Sequence, residues 1–489
     1  MGLTIVTFIF AGLSLAVVFF WKPVLRRYPP GPPPKPLIGN ALDMPTVRAW
    51  EKYRDWCQQY NSDIIYLELP THPVIVLGSV EVAEELLEKR SHTYSGRPCI
   101  YMLELMTWDL HFGSLTYGSR WRTHRQLFHK FFPSSDADKY QDVQLQEARR
   151  FLTLAMKSPQ HTRKYARQVV TAIIVKILYG KQITGMDDKT SGRTLPVLAA
   201  HPKLASRRRL RRLAEKYIPY VRDLHDTAYD EVKVTFIDGT PPPCVVSSMI
   251  DQHGDSPQAA IQKEIAKNVA GSTYTAGADT TTSSAQSFLL AMALFPEVQR
   301  KAQAELDRVV GSERLPTWHD MKDLTCVRAV METLRWMPIA PFGVPHSVTA
   351  DDVYESYFIP KGVSVIPNEW AMLHNPVDYP DPEVFNPDRF VGQDGSIDSN
   401  VRDPSTIIFG FGRRICPGSH LAVKTLEIFI ASVLHVFNIS AGVDANGEPL
   451  QLSTDMEGAM VAAPCDVPTG LEPRSTQAVR LVQQLELAL

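Results

Sequence analysis

Two hydrophobic rhythms run along this chain, one with helical spacing and one of short strand-like runs. Leu3 to Trp21 is apolar apart from Thr4, Thr7, Ser14 and small residues. Wound as a helix, it would span roughly 28 Å, close to the hydrocarbon thickness of a bilayer. Lys22, Arg26 and Arg27 follow at once and no basic residue precedes, so residues 1–21 are expected to be an uncleaved transmembrane signal-anchor with its C-terminal side in the cytosol. A cleaved leader would need a basic start and a small-x-small site, and neither is present. Pro29-Pro30-Gly31-Pro32-Pro33-Pro34 makes residues 22–40 a basic, proline-rich linker and stiff spacer. Residues 41–489 remain for the globular part, enough to bury one very large core or two ordinary ones.

Within that part, Ile64 to Leu69 and Pro73 to Gly78 are rich in branched residues and predict a hairpin. Val80 to Lys89 has an amphipathic helical pattern, and Pro98 to Gly113 is irregular. Ile261 to Leu294 keeps helical spacing over an unusually long span, which Pro296 ends. A further helix follows Cys416, reading from His420 to Leu434.

Composition removes several classes of function. A net charge of −2 over 489 residues gives no electrostatic reason to bind nucleic acid. The six cysteines are scattered without a Cys-x-x-Cys pair, which points to free thiols rather than a disulfide framework or a zinc site.

Candidate chemistry gathers in four places. Phe409 to Gly418 sets Cys416 at the end of a glycine-rich loop, directly ahead of a helix whose dipole and free N–H groups favour a thiolate. Gly412 and Gly418 permit a tight turn and close approach to something large and flat, and Arg414 adds charge. A lone cysteine is more often a small buried hydrophobe, so the spacing around it carries the argument. Trp121 and Arg125 are four apart on one helical face, where an indole N–H and a guanidinium suit a carboxylate. Gly277 and the run Asp279-Thr280-Thr281-Thr282 weaken the middle of the long helix, because hydroxyls there bond back to the chain and open it. Glu332 and Arg335 are three apart on an apolar helix, and Arg389 in Pro387-Asp388-Arg389-Phe390 offers a third partner.

Taken in order, these motifs resemble those of the cytochrome P-450 family. Phe-x-x-Gly-x-Arg-x-Cys-x-Gly is similar to its haem-binding loop, which makes Cys416 the axial iron ligand and places Phe409, Gly412, Arg414 and Gly418 around the cofactor. The resemblance further implies haem-propionate contacts for Trp121, Arg125, Arg97 and His346, and a structural brace made by Glu332, Arg335 and Arg389. It gives Gly277 the role of leaving room for dioxygen, and Thr280 and Asp279 the role of supplying protons to it. Ala340 to Gly343 and Glu457 to Val461 would line the substrate pocket, with residues 98–113 over it. The segment from about Asp188 to Val246, with its basic run Ser206 to Arg212, is short beside the family's substrate lid.

The fold implied is the cytochrome P-450 fold, mainly α with small β-sheets: a single haem domain, residues 41–489, behind an N-terminal transmembrane helix. The wording is most similar to fungal microsomal members of secondary metabolism, the O-methylsterigmatocystin oxidoreductase-like group. The implied activity is a membrane-anchored, haem b-dependent monooxygenase oxidising an apolar small molecule with O₂. No flavin or nicotinamide motif is present, so electrons would come from an NADPH–cytochrome P-450 reductase, with cytochrome b5 a second donor. Lys130, Arg413 and Lys424 are candidates for the docking face. The implied location is the endoplasmic reticulum membrane, single-pass, with the catalytic domain cytosolic. Two other readings are a haem-thiolate isomerase or dehydratase that uses no O₂, against which the Asp279-Thr280 pair argues, and a non-catalytic product with a shortened lid.

Overall fold

Branched residues in register build the main sheet. Ile64–Leu67 (β1) pairs antiparallel with Val74–Leu77 (β2), with Ile64 opposite Leu77, as the hairpin pattern predicts. The computed structural model describes residues 27–70, 72–183, 185, 207–252, 259–444, 446–458 and 460–488. The expected anchor at 1–21, the basic start of the linker at 22–26, and residues 186–206 of the short segment lie outside them.

Helices in chain order are α1 (Ala49–Tyr60), α2 (Ser119–Phe131), α3 (Gln141–Lys157), α4 (Thr162–Tyr179) and α5 (Arg207–Ile237). They continue as α6 (Ala259–Leu294), α7 (Pro296–Val309), α8 (Glu332–Trp336), α9 (Glu369–Leu373) and α10 (Ser419–Val436). The later strands are β3 (His346–Ser347), β4 (Asp352–Tyr354), β5 (Tyr357–Ile359), β6 (Ser364–Pro367), β7 (Phe437–Ser440), β8 (Met456–Glu457), β9 (Ala463–Pro464) and β10 (Gly470–Pro473). The sheet order β1-β2-β6-β3 joins the hairpin to distant chain, with β6 parallel to β2 and antiparallel to β3. The stretch 98–113 is more regular than its pattern suggests, carrying a helical turn at Tyr101–Leu105 and another at Trp108–Leu110.

At 36 residues, α6 runs for roughly 54 Å through the centre of the molecule. It packs along α4 and against α2, α5 and α10. Pro296 does not merely end it: Pro296 is the first residue of α7, where its missing N–H costs nothing. Among the described residues, α10 alone is long and apolar enough to cross a bilayer, yet it is mostly buried and serves as a core helix.

The proline-rich stretch from residue 27 to 40 lies on the sheet rather than standing off as a spacer. Tyr66 N donates to Pro30 O at 2.9 Å, Asn40 N to Glu68 O at 2.6 Å and Phe358 N to Arg27 O at 2.6 Å. Tyr28 stacks on Tyr66 with ring centroids 4.8 Å apart. Prolines lack a donor but keep their carbonyls, so an extended proline stretch can satisfy the open edge of β1.

One carboxylate sets an acid limit on the fold. Asp320 receives both terminal nitrogens of Arg314 at 2.6 and 2.7 Å and the backbone N–H of Thr317 at 2.8 Å. Arg314 first, then Thr317, hold its carboxyl down to about 2. The unfolded value is about 3.9, so this stabilisation is complete above pH ~4 and is lost as pH falls through ~2. Asp320→Asn is therefore expected to flatten the loss of stability across that window, read by urea unfolding at successive pH values. An unchanged acid slope would contradict the assignment.

Candidate active site

The turn before α10 is shaped for one cysteine. Gly412 adopts φ +55°, and a Cβ there would lie 2.3 Å from Leu87 O, so only glycine fits. Gly418 differs: a Cβ would meet only the Phe128 ring at 3.9 Å, so the protein itself makes no demand for glycine there. Cys416 N donates to Phe409 O at 2.7 Å, which closes the loop. Cys416 keeps accessible surface, while its recessed setting pushes the thiol up. The backbone N–H groups of Gly418 and Ser419 and the charge of Arg125 pull the other way, and Glu369 adds to the rise.

Four cationic or basic side chains converge beside this loop from distant parts of the chain. Arg97 donates to the carbonyls of Gly113 (3.0 Å), Val344 (2.7 Å) and Pro345 (2.8 Å). Arg414 donates to Ser95 O (2.8 Å) and Leu115 O (2.7 Å), and its guanidinium lies 4.6 Å from the centroid of the Trp121 ring. Arg125 donates to Ile415 O at 2.7 Å and to His129 Nε2 at 2.9 Å, and flanks the same indole at 5.9 Å. His346 Nδ1 meets Tyr94 O at 2.8 Å. Burial lowers the pKa of all three arginines and of His346. Arg414 further depresses Arg97, and Arg125 further depresses Arg414.

The partners of these guanidiniums among the described residues are carbonyls and one imidazole, and none is a carboxylate. Arg414 Nη1 is buried with no hydrogen-bond partner. Buried cations that repel one another are costly unless an anion joins them. A ligand presenting two carboxylates beside a thiolate fits this donor set, and haem b, with its two propionates, is such a ligand.

A second face comes from α6. From Asn268 to Met292 the helix is buried except at Ala276, Gly277, Asp279 and Thr280. Thr280 Oγ1 donates to Ala276 O at 2.6 Å, the bond-back that the hydroxyl run predicts. A Cβ on Gly277 would lie 3.0 Å from Ile174 on α4. Asp279 turns to Arg167 of α4, with Nη2 to Oδ1 at 3.0 Å. Burial raises its pKa and Arg167 opposes the rise. Ser283 Oγ donates to Ala462 O at 2.6 Å, and Ala462 N donates to Ile339 O at 2.7 Å. These two bonds tie the 340–343 and 457–461 stretches to the same helix.

Beneath, Glu332 and Arg335 are both 0% exposed. Glu332 holds Arg335 at 2.8 Å, Arg389 at 3.1 Å and the backbone N–H of Asn386 at 3.3 Å. Arg335 also donates to Leu373 O at 2.9 Å, and Arg389 to Pro380 O at 2.8 Å. Of the residues expected on a docking face, Lys130 and Arg413 are exposed, whereas Lys424 is paired with Asp138 at 2.9 Å.

Arg167 and His129 were not picked out by their sequence setting. Each lies in an ordinary helical run, and only the folded chain reveals its partner.

Comparison with known proteins agrees with this geometry. The family profile described as Cytochrome P450 matches residues 29–456. A cytochrome P450 monooxygenase COX2 of Coprinopsis cinerea is 36% identical, over 95% of this chain and 93% of its own. The monooxygenase ple1 of Rhodocybe pseudopiperita is 36% identical over 98% and 96%. A tryptamine 4-monooxygenase of Psilocybe cyanescens is 33% identical over 93% and 95%. With a cysteine loop, a cluster of cations lacking an anion and a family match over most of its length, this chain belongs to the cytochrome P450 family, monooxygenases that bind haem through a cysteine thiolate.

Proposed function

We propose that this chain is a membrane-anchored monooxygenase of the endoplasmic reticulum that oxidises an apolar secondary metabolite, with electrons from an NADPH–cytochrome P-450 reductase. Residues 1–21 are its anchor, residues 22–26 the basic start of the linker, and the proline-rich stretch from 27 on packs as part of the catalytic domain that runs to 489. The observation that carries the reading is the cluster of Arg97, Arg125 and Arg414 beside Cys416, none of them paired with a carboxylate among the described residues; the accessible Gly277-Asp279-Thr280 face on α6 supports it.

Haem b, when bound, supplies reductive activation of O₂ from the iron centre. The protein's own residues do the rest. Cys416 would hold the iron through its sulfur, within the loop of Phe409, Gly412 and Gly418. Arg97, Arg125 and Arg414 would hold the propionates, the last two from beside the Trp121 ring. His346 donates from Nδ1 to the Tyr94 carbonyl, so its Nε2 can donate to a propionate only after taking a proton. Gly277 leaves space where a side chain would intrude. Thr280 Oγ1 places its proton on Ala276 O and keeps its oxygen free to accept another. Asp279, half-exposed and raised by burial, is suited to pass protons from solvent each time it leaves Arg167. Lys130 and Arg413 offer charge to a reductase or to cytochrome b5. A relative named for acting on tryptamine supports a small fungal metabolite as substrate.

The test is expression with a reductase under ¹⁸O₂, followed by comparison of metabolites with and without this chain. One ¹⁸O atom per product is expected, and oxygenated products carrying no ¹⁸O would contradict a monooxygenase. In the same system Thr280→Ala should lower product per NADPH by about ten-fold or more and raise peroxide, while NADPH consumption continues. Unchanged coupling would remove Thr280 from proton delivery.

A further inference from the structure

Arg125 meets the cysteine loop in an orientation fixed from two sides. Its Nη2 donates to Ile415 O at 2.7 Å, one residue before Cys416, and its Nε donates to His129 Nε2 at 2.9 Å. Arg125 and His129 are four apart on α2, so they share one face of the helix. His129 is exposed, and its ring stands edge-on to the buried Phe128 ring at 5.9 Å. Arg125 is only partly exposed and lies 5.9 Å from the Trp121 ring. With Nε and Nη2 engaged, Nη1 has no protein partner among the described residues.

The contact requires a neutral imidazole. A guanidinium only donates and keeps its charge, so His129 must accept at Nε2 and carry its proton on Nδ1. The charged and titratable groups that face His129 are Arg125 on its own helix and His420 on α10, and among the described residues no carboxylate pairs with it. Burial first, then Arg125 and His420, lower its pKa from the ordinary 6.5. The neighbouring Lys130 is engaged by Gln252 Oε1 at 2.6 Å. A proton on Nε2 would remove the acceptor and press two cations together. The contact is therefore complete above pH ~7 and fades as pH falls below ~6.5 through the lowered value.

We propose that His129 is a positioning residue for haem: its neutral imidazole orients Arg125 and leaves Nη1 for a propionate. A planar guanidinium held at two nitrogens has little freedom left to lose when an anion joins it. Released by His129, the side chain regains rotamer freedom that the ligand itself must then remove. The inference rests on the propionate-binding role proposed for Arg125 and adds the residue that prepares it.

The test follows haem transfer from the full-length holoprotein to excess apomyoglobin, for the wild type, His129→Leu, His129→Gln and Arg125→Leu. At pH 7.5 His129→Leu is expected to lose haem about ten-fold faster than the wild type, the worth of one hydrogen bond to a charged group. His129→Gln, whose amide oxygen also accepts, should stay within about two-fold of the wild type. At pH 5 the gap between wild type and His129→Leu should narrow, while the gap between the Gln and Leu variants persists. Added to Arg125→Leu, the change His129→Leu should do nothing further, because the two act as one unit. Urea midpoints of the haem-free forms should agree.

A Leu variant that loses haem at the wild-type rate overturns the proposal. So does a gap that ignores pH, or an undiminished effect in the Arg125→Leu background. A lowered urea midpoint overturns it too, since the imidazole would then be structural. Arg125→Leu separates the two claims. If it holds haem as the wild type does, the propionate role of Arg125 falls together with that of His129. Faster loss in Arg125→Leu with none in His129→Leu defeats the histidine alone.

Discussion

Glu332→Ala is expected to yield no folded, haem-loaded protein. The substitution removes the one carboxylate shared by Arg335, which is 0% exposed, and Arg389, which is 6% exposed. Two guanidiniums would remain, held by carbonyls of Leu373, Pro380 and Val384 but with no counter-charge. Breaking a buried pair by removing one partner costs roughly 3–5 kcal/mol. Whole proteins have only about 5–15 kcal/mol in reserve. Glu332→Gln, which preserves shape and one acceptor, should fall between Ala and wild type. Soluble yield, haem content and urea midpoint measure the series. A Glu332→Ala protein as stable as wild type would show that the brace is dispensable.

Cys416→Ser is expected to leave the fold almost untouched while abolishing monooxygenase activity. The bond that closes the loop runs from Cys416 N to Phe409 O, so it survives any change of side chain. Gly412 and the Leu87 carbonyl keep their fit as well. What disappears is a sulfur towards which the backbone N–H groups of Gly418 and Ser419 and the charge of Arg125 are directed. A serine hydroxyl cannot replace it as a soft iron ligand. The thermal midpoint of the haem-free forms should agree within a few degrees, whereas product formation should drop below detection. Activity retained by the serine variant would place the iron ligand elsewhere.

These contrasts show which features local sequence could reveal. The cysteine loop, the hydroxyl run of α6 and the Glu332–Arg335 spacing are each contained in a short stretch, and each appears where its pattern predicts. The β1–β2 hairpin was legible for the same reason, because two short runs rich in branched residues lie either side of a turn. Long-range pairings were not. Arg167 meets Asp279 across 112 residues, and His225 meets Gly271 between two helices, with nothing in either local pattern to announce the partner. The proline-rich stretch misled in the opposite sense. Its stiffness was plain, but its carbonyls serve the edge of a sheet whose order joins residues hundreds of positions apart. The pairing of Lys424 with Asp138 is likewise a long-range contact that neither local pattern announces.

The central claim is that Cys416 and the surrounding arginines hold a haem whose iron is bound by thiolate. The reduced, carbon-monoxide-treated spectrum of the full-length protein in membranes tests it most directly. The account predicts the strongly red-shifted Soret band of a thiolate-bound haem in the wild type and its disappearance in Cys416→Ser. A band at the position of imidazole-bound haem proteins, or a red-shifted band that survives in Cys416→Ser, would contradict it.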